Sequence, residues 1–162
     1  MAILNNDVIV PPSWLPPLIA QFERNPQLGM VGTMTNLGPK HQVVQPLSYP
    51  TFRPAPTEAG PAPNAGWKHF LAALLEFARV VQERNTGGGV DAAEVGGGCA
   101  LLRKSCFRKL NSFPARSALG HFDLPGLSQR VRQAGFGLAV CAEIFTHSFG
   151  IRATDARARH SA

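Results

Sequence analysis

The chain is short of charge, of cysteine and of long apolar runs, and each shortage excludes something. No apolar run reaches the ~20 residues needed to span a membrane. The N-terminus carries no basic segment followed by an apolar one, so no signal peptide is expected. Cys99, Cys106 and Cys141 are odd in number and lack metal-ligand spacing, which reads as reduced, small core residues of a cytoplasmic protein. Only 16% of residues are charged, although the formal net charge is +6. Basic residues gather at Arg103-Lys104 with Arg108-Lys109, and in Arg152, Arg157 and Arg159, but no dense basic stripe is interleaved with aromatics. Nucleic acid is therefore not the expected partner. A nucleotide diphosphate or an anionic surface would need no more charge than this.

What is present fits an ordinary globule. The 162 residues, 44% of them hydrophobic, suit one domain, and such a domain buries roughly 70% of its unfolded surface. Ile3-Leu4 reads as a buried strand running into the polar turn Asn5-Asn6-Asp7, after which apolar residues resume at Val8. A carboxylate at the carboxyl edge of an α/β sheet, flanked by two amides, suits a hard divalent cation and through it phosphate oxygens. The same three residues also suit a plain turn.

Ser13 is the expected N-cap of a helix carrying Trp14, Leu15, Leu18, Ile19 and Phe22, with Pro16 and Pro17 in its first turn and Asn25-Pro26 at its end. Residues 28–34 read as a second buried strand. A proline-rich irregular excursion covers residues 37–65, and long loops of this kind are usually functional or mobile. Trp67, Phe70, Leu71, Leu74, Leu75, Ala78 and Val81 mark one face of a helix, closed by Asn85 and a flexible link at Gly87, Gly88 and Gly89. Gly96, Gly97 and Gly98 lead into a third strand. No P-loop lysine follows them, so they suit close approach of a substrate or sheet curvature. Short helices at 104–110 and 124–134 precede two short strands at 138–141 and 144–146. One domain over residues 1–153 with a frayed tail at 154–162 completes the reading.

Several ordered blocks resemble the catalytic half of family-2 glycosyltransferases, inverting enzymes with the GT-A nucleotide-sugar fold. Leu4-Asn5-Asn6-Asp7-Val8-Ile9-Val10 with Trp14-Leu15 is similar to that family's strand, metal motif and following helix. Gly29-Met30-Val31-Gly32 with Thr35-Asn36 resembles the next strand and loop. Gly98-Cys99-Ala100-Leu101-Leu102-Arg103-Lys104 resembles the acceptor-side strand. His121-Phe122-Asp123, Leu127-Ser128 and Ala134-Gly135-Phe136 are similar to the helix bearing the catalytic acids, and Ile144 to Gly150 to the closing strand with its metal-binding histidine.

The resemblance implies an α/β fold, a partial GT-A sheet with helices on both faces. It implies a donor and metal motif at Asn5, Asn6 and Asp7, with Asp7 and His147 sharing a divalent cation, Mn²⁺ or Mg²⁺. The acceptor side falls to Gly97, Gly98 and Cys99. The implied reaction is transfer of a sugar from a nucleotide-diphospho-sugar to an acceptor hydroxyl. Two departures qualify it. The family's nucleotide-binding βαβ half has no counterpart here, so the chain is expected to be truncated. Pro125 and Gly126 stand where the family places acids, which leaves Asp123 as the candidate base and an impaired enzyme as the expectation. The alternatives are a non-catalytic binding or assembly module on the same fold and, more weakly, an anion- or nucleic-acid-binding domain. A homo-oligomer, or a partner chain covering the missing half, is expected at the strand ending in Leu4 and the helix around Trp14.

Overall fold

A computed structural model describes residues 1–50, 65–110 and 123–150. It is an α/β protein whose mixed sheet has six strands among the described residues: β1 (Ala2–Leu4), β2 (Val8–Ile9), β3 (Leu28–Thr35), β4 (Gly89–Asp91), β5 (Cys99–Leu102) and β6 (Gly137–Ser148). The order runs β1-β5-β3-β6-β2, with β4 also paired to β6. β5 is antiparallel to both β1 and β3, and β3 is parallel to β6. β1, β3 and β6 therefore share one direction, and their carboxyl ends meet at one edge of the sheet.

Alternation along the strands sorts side chains to two faces. Ile3, Met30, Ala100, Leu102 and Leu138 pack under α3 (Lys104–Lys109) and α4 (Leu124–Gln133), which contribute Cys106, Leu124, Leu127 and Val131. Val31, Leu101, Ala139 and Cys141 turn the other way, toward Leu18, Trp14 and Phe22 of α1 (Leu15–Arg24). The long helix α2 (Ala65–Arg84) lays Phe70, Leu74, Ala78 and Val81 on Phe145, at the far half of β6. Helices thus cover both faces; the periodicity read from the sequence marks the packed stripes of α2 and α4, whereas on α1 Leu18 is buried with Trp14 and Phe22 against it and the expected Leu15 and Ile19 stay exposed.

Three local expectations are corrected. Ser13 does not cap α1: it adopts a left-handed φ of 56°, and the capping position falls to Trp14, which makes no side-chain cap bond. The two prolines in the first turn already leave fewer amide protons needing a cap. The two C-terminal strands are one twelve-residue strand, β6, whose register to β3 shifts between Thr33 and Met34, so Cys141 and Phe145 become successive partners across a bulge. Gly87, Gly88 and Gly89 are not a loose link. Gly89 opens β4 opposite Cys141, the Gly88 carbonyl accepts from Ala142 N at 3.1 Å and from Gln21 Nε2 at 3.1 Å, and Gly87 N donates to the Glu143 carboxylate at 3.2 Å. The expected features at residues 51–64, His121, Phe122 and the tail lie outside the described residues.

Candidate functional site

The turn after β1 puts its three polar residues in different surroundings. Asn5 is half-buried and tied to the glycine turn by its backbone N, which donates to Gly98 O at 2.8 Å. Asn6 is exposed. Asp7 is buried; its Oδ2 accepts from Ser148 Oγ at 3.3 Å, and its carbonyl accepts from Phe149 N at 3.0 Å.

Asp7 and His147 belong to the same small ladder. β2 pairs antiparallel with the end of β6, Val8 opposite Ser148 and Ile9 opposite His147, so Asp7 and His147 lie diagonally across it. His147 is buried among aromatic rings, with Phe149 at 4.7 Å, Phe70 at 5.2 Å and Tyr49 at 5.6 Å between centroids. Its Nδ1 shares a hydrogen bond of 2.8 Å with the Tyr49 hydroxyl. Burial lowers the imidazole pKa below its usual value while the Asp7 carboxylate pulls the other way, so the ring is neutral near neutral pH. Burial also raises the Tyr49 phenol well above its ordinary range, so the partner of Nδ1 stays a hydroxyl.

This geometry is compatible with a cation: a neutral imidazole whose Nδ1 is held by an outer group is the usual state of a histidine ligand. Asp7 supplies a hard carboxylate beside it. Among the described residues no three His, Cys, Asp or Glu side chains gather around one point, so two protein ligands are the most this turn offers.

In the glycine turn, Gly97 and Gly98 both take left-handed φ values, 74° and 80°. A Cβ at Gly97 would sit 2.8 Å from Thr35 Cγ2, and one at Gly98 2.8 Å from Val8 Cγ2. Only glycine lets this turn lie against both strand ends. Gln42 fixes it from below. This fully buried amide accepts from Gly96 N at 2.7 Å and donates to Thr33 O at 2.7 Å. The turn, Asn5, Glu94, Leu124 and Pro125 line a cavity of 380 Å³. A second cavity of 750 Å³ adjoins it through Glu94 and Pro125 and reaches Asp123.

Two expected residues sit elsewhere. Cys99 is fully buried beneath the turn, and burial pushes its thiol pKa up to about 12, so it does not present a side chain to the cavity. Asp123 is the N-cap of α4: its Oδ1 accepts from Gly126 N at 3.0 Å. A Cβ at Gly126 would stand 2.1 Å from Asp123 Oδ2, so the glycine at that position is what lets the carboxylate fold back onto the helix. Sequence reading missed Tyr49, Gln42 and Glu94, because no local pattern marks a partner many tens of residues away. No protein-family model matches the chain, and no curated protein matches it in sequence.

Proposed function

We propose that this chain is a family-2 glycosyltransferase-like protein of partial GT-A fold, which receives the diphosphate of a nucleotide-diphospho-sugar at the β1–β2 turn and an acceptor hydroxyl over the glycine turn. One observation carries the reading. The carboxyl ends of β1, β3 and β6 share one sheet edge, and there Asn5 after β1, Gly38 and Pro39 after β3, the Gly97-Gly98 turn and the first turn of α4 line one cavity, the place where open α/β sheets collect ligands. Asp7 and His147 would hold the divalent ion, Mn²⁺ or Mg²⁺, which when bound supplies Lewis-acid charge to the departing diphosphate.

Transfer itself is impaired in this reading. Pro125 lines both cavities where the family's acids stand, and the Asp123 carboxylate is occupied as a helix cap. A missing general base typically slows proton-coupled transfer 10²–10⁴-fold. The same observation favours a second reading, a binding or assembly module that keeps the site without turnover. In either case a second copy or another chain covers the open edge of β1, where Leu4 is exposed.

Calorimetry with Mn²⁺ and inorganic pyrophosphate tests the shared part. Binding of Mn²⁺ that strengthens with pyrophosphate and disappears in Asp7→Asn is expected. No pyrophosphate-dependent binding at millimolar concentrations would sink the donor site. Rapid turnover of a nucleotide sugar would instead overturn the impairment alone.

A further inference from the structure

The charge of this molecule is not spread over it. Between Val95 and Ala142 the sequence holds seven Lys and Arg, namely Arg103, Lys104, Arg108, Lys109, Arg116, Arg130 and Arg132, against one carboxylate, Asp123. The rest of the chain holds nine of each sign, so the entire formal +6 comes from this one segment. Its described helices, α3 and α4, pack together on one face of the sheet. Six of the seven cations lie in the described residues, five of them on these two helices and Arg103 at the start of α3, so most of the excess belongs to one side of the protein.

These cations differ in what they do. Arg103 is structural: its guanidinium donates to Leu28 O at 2.6 Å and Phe22 O at 2.8 Å and lies 4.9 Å from the Phe22 ring centroid. Arg130 donates to Leu110 O at 2.9 Å. Lys104, Arg108 and Lys109 are exposed, and none forms an ion pair among the described residues. On α3, Lys104, Phe107 and Arg108 share a flank by their spacing of three and four, opposite the buried Cys106. Phe107 is 38% exposed, and Lys109 lays its ammonium 5.1 Å from the centroid of the half-buried Phe136 ring.

We propose that the α3–α4 face docks this protein on the surface of an anionic lipid bilayer, with Phe107 entering the interface and Lys104, Arg108 and Lys109 meeting the headgroups. Cations around an exposed phenylalanine match the two demands of such a surface: charge attraction at range and apolar contact at the boundary. Single-stranded nucleic acid fits less well, since it needs successive aromatic platforms along a basic groove. None of Lys104, Phe107, Arg108 and Lys109 lines either cavity beside the glycine turn, so the proposal stands whether or not a sugar nucleotide binds there.

Co-sedimentation of the full chain with vesicles provides the test, comparing phosphatidylcholine alone with phosphatidylcholine plus phosphatidylserine. Binding only to the anionic vesicles, lost at high salt, is expected. Each headgroup-facing cation contributes roughly fivefold to partitioning, so Lys104→Gln with Arg108→Gln together should weaken binding roughly 25-fold. Phe107→Ser should weaken it at low salt as well, while Lys68→Gln with Arg84→Gln on α2 should leave it unchanged. Circular dichroism of each variant separates lost docking from lost folding. Equal binding to neutral vesicles, no binding at low salt, or equal loss in the α2 variant would overturn the proposal. So would tighter binding to polyuridylate than to anionic vesicles, which would assign the face to nucleic acid.

Discussion

The Asp123 carboxylate illustrates how a residue that resembles a catalytic acid can have a structural role. Its oxygen closes the first turn of α4, and loss of such a cap costs about 1 kcal/mol. Asp123→Ala should lower the unfolding free energy by that amount, read as a lower urea midpoint, and Asp123→Asn, which keeps an oxygen acceptor, should recover most of it. An unchanged midpoint in the alanine variant would remove the capping role. The buried thiols give a second prediction, one of pH. Burial raises Cys99 to about 12 and Cys141 to about 11, against 9 when unfolded. A raised pKa means that the folded state resists ionisation: stability is full below pH 9 and drains as pH climbs toward 11 for Cys141 and 12 for Cys99, because the thiols of the unfolded chain lose their protons first. The loss approaches about 1.4 kcal/mol per pH unit for each thiol. Urea midpoints compared at pH 8 and pH 10 should show it, and Cys99→Ala should flatten the slope. A midpoint independent of alkaline pH would contradict this burial.

Among the elements, the helices were legible because α1, α2 and α4 each carry a 3.6-residue apolar stripe long enough to stand out. β3 and β5 were legible as short apolar runs. The strands that escaped notice are β2, of two residues, and β4, of three, which exist only because the long β6 offers them partners. β6 itself read as two strands because its bulge interrupts the alternation. The site was legible to the same extent. The polar turn at Asn5, Asn6 and Asp7, the glycines and His147 were marked by type and position. Tyr49 was not, since its partner His147 lies 98 residues away, and nothing local distinguishes it from a loop tyrosine. The glycine turn also yields a ranking. Gly98 and Gly135 have similar left-handed φ, 80° and 85°, but only Gly98 has a neighbour waiting for a Cβ. Gly135→Ala should cost about 1–2 kcal/mol from backbone strain alone, and Gly98→Ala more, with Mn²⁺-dependent pyrophosphate binding weakened too. Equal thermal shifts in the two variants would show that the contact between the turn and Val8 is unimportant.

At the scale of the whole molecule, β1 is an end strand of the sheet among the described residues, as the short β2 and β4 are at the other end. β6 is paired along both edges, by β3 and by β4 with β2, whereas β1 ends the strand order with β5 as its neighbour. Around that end the apolar surface is uncovered: Met1 is 49% exposed, Leu4 41%, Leu15 39% and Ile19 43%. The last two belong to α1, and spacings of four and three place Leu15 and Ile19 on the flank of Phe22. That flank faces β5, since Phe22 lies against Arg103, just beyond that strand, while Gln21 on the opposite flank reaches Gly88. An open strand edge beside an apolar helix flank is the geometry that recruits another strand, and a second copy meets itself across a two-fold axis with antiparallel edges. The purified chain should sediment as a dimer at micromolar concentration. Burying one such side chain stabilises by roughly 1.5–3 kcal/mol, so Leu15→Glu with Ile19→Glu should raise the dissociation constant at least ~100-fold. The salt-sensitive face on α3 and α4 is elsewhere, so these substitutions should leave binding of anionic vesicles by the resulting monomer intact. A wild-type monomer at that concentration would show that β1 needs no cover, and a stable complex only with a different polypeptide would replace the second copy as its occupant.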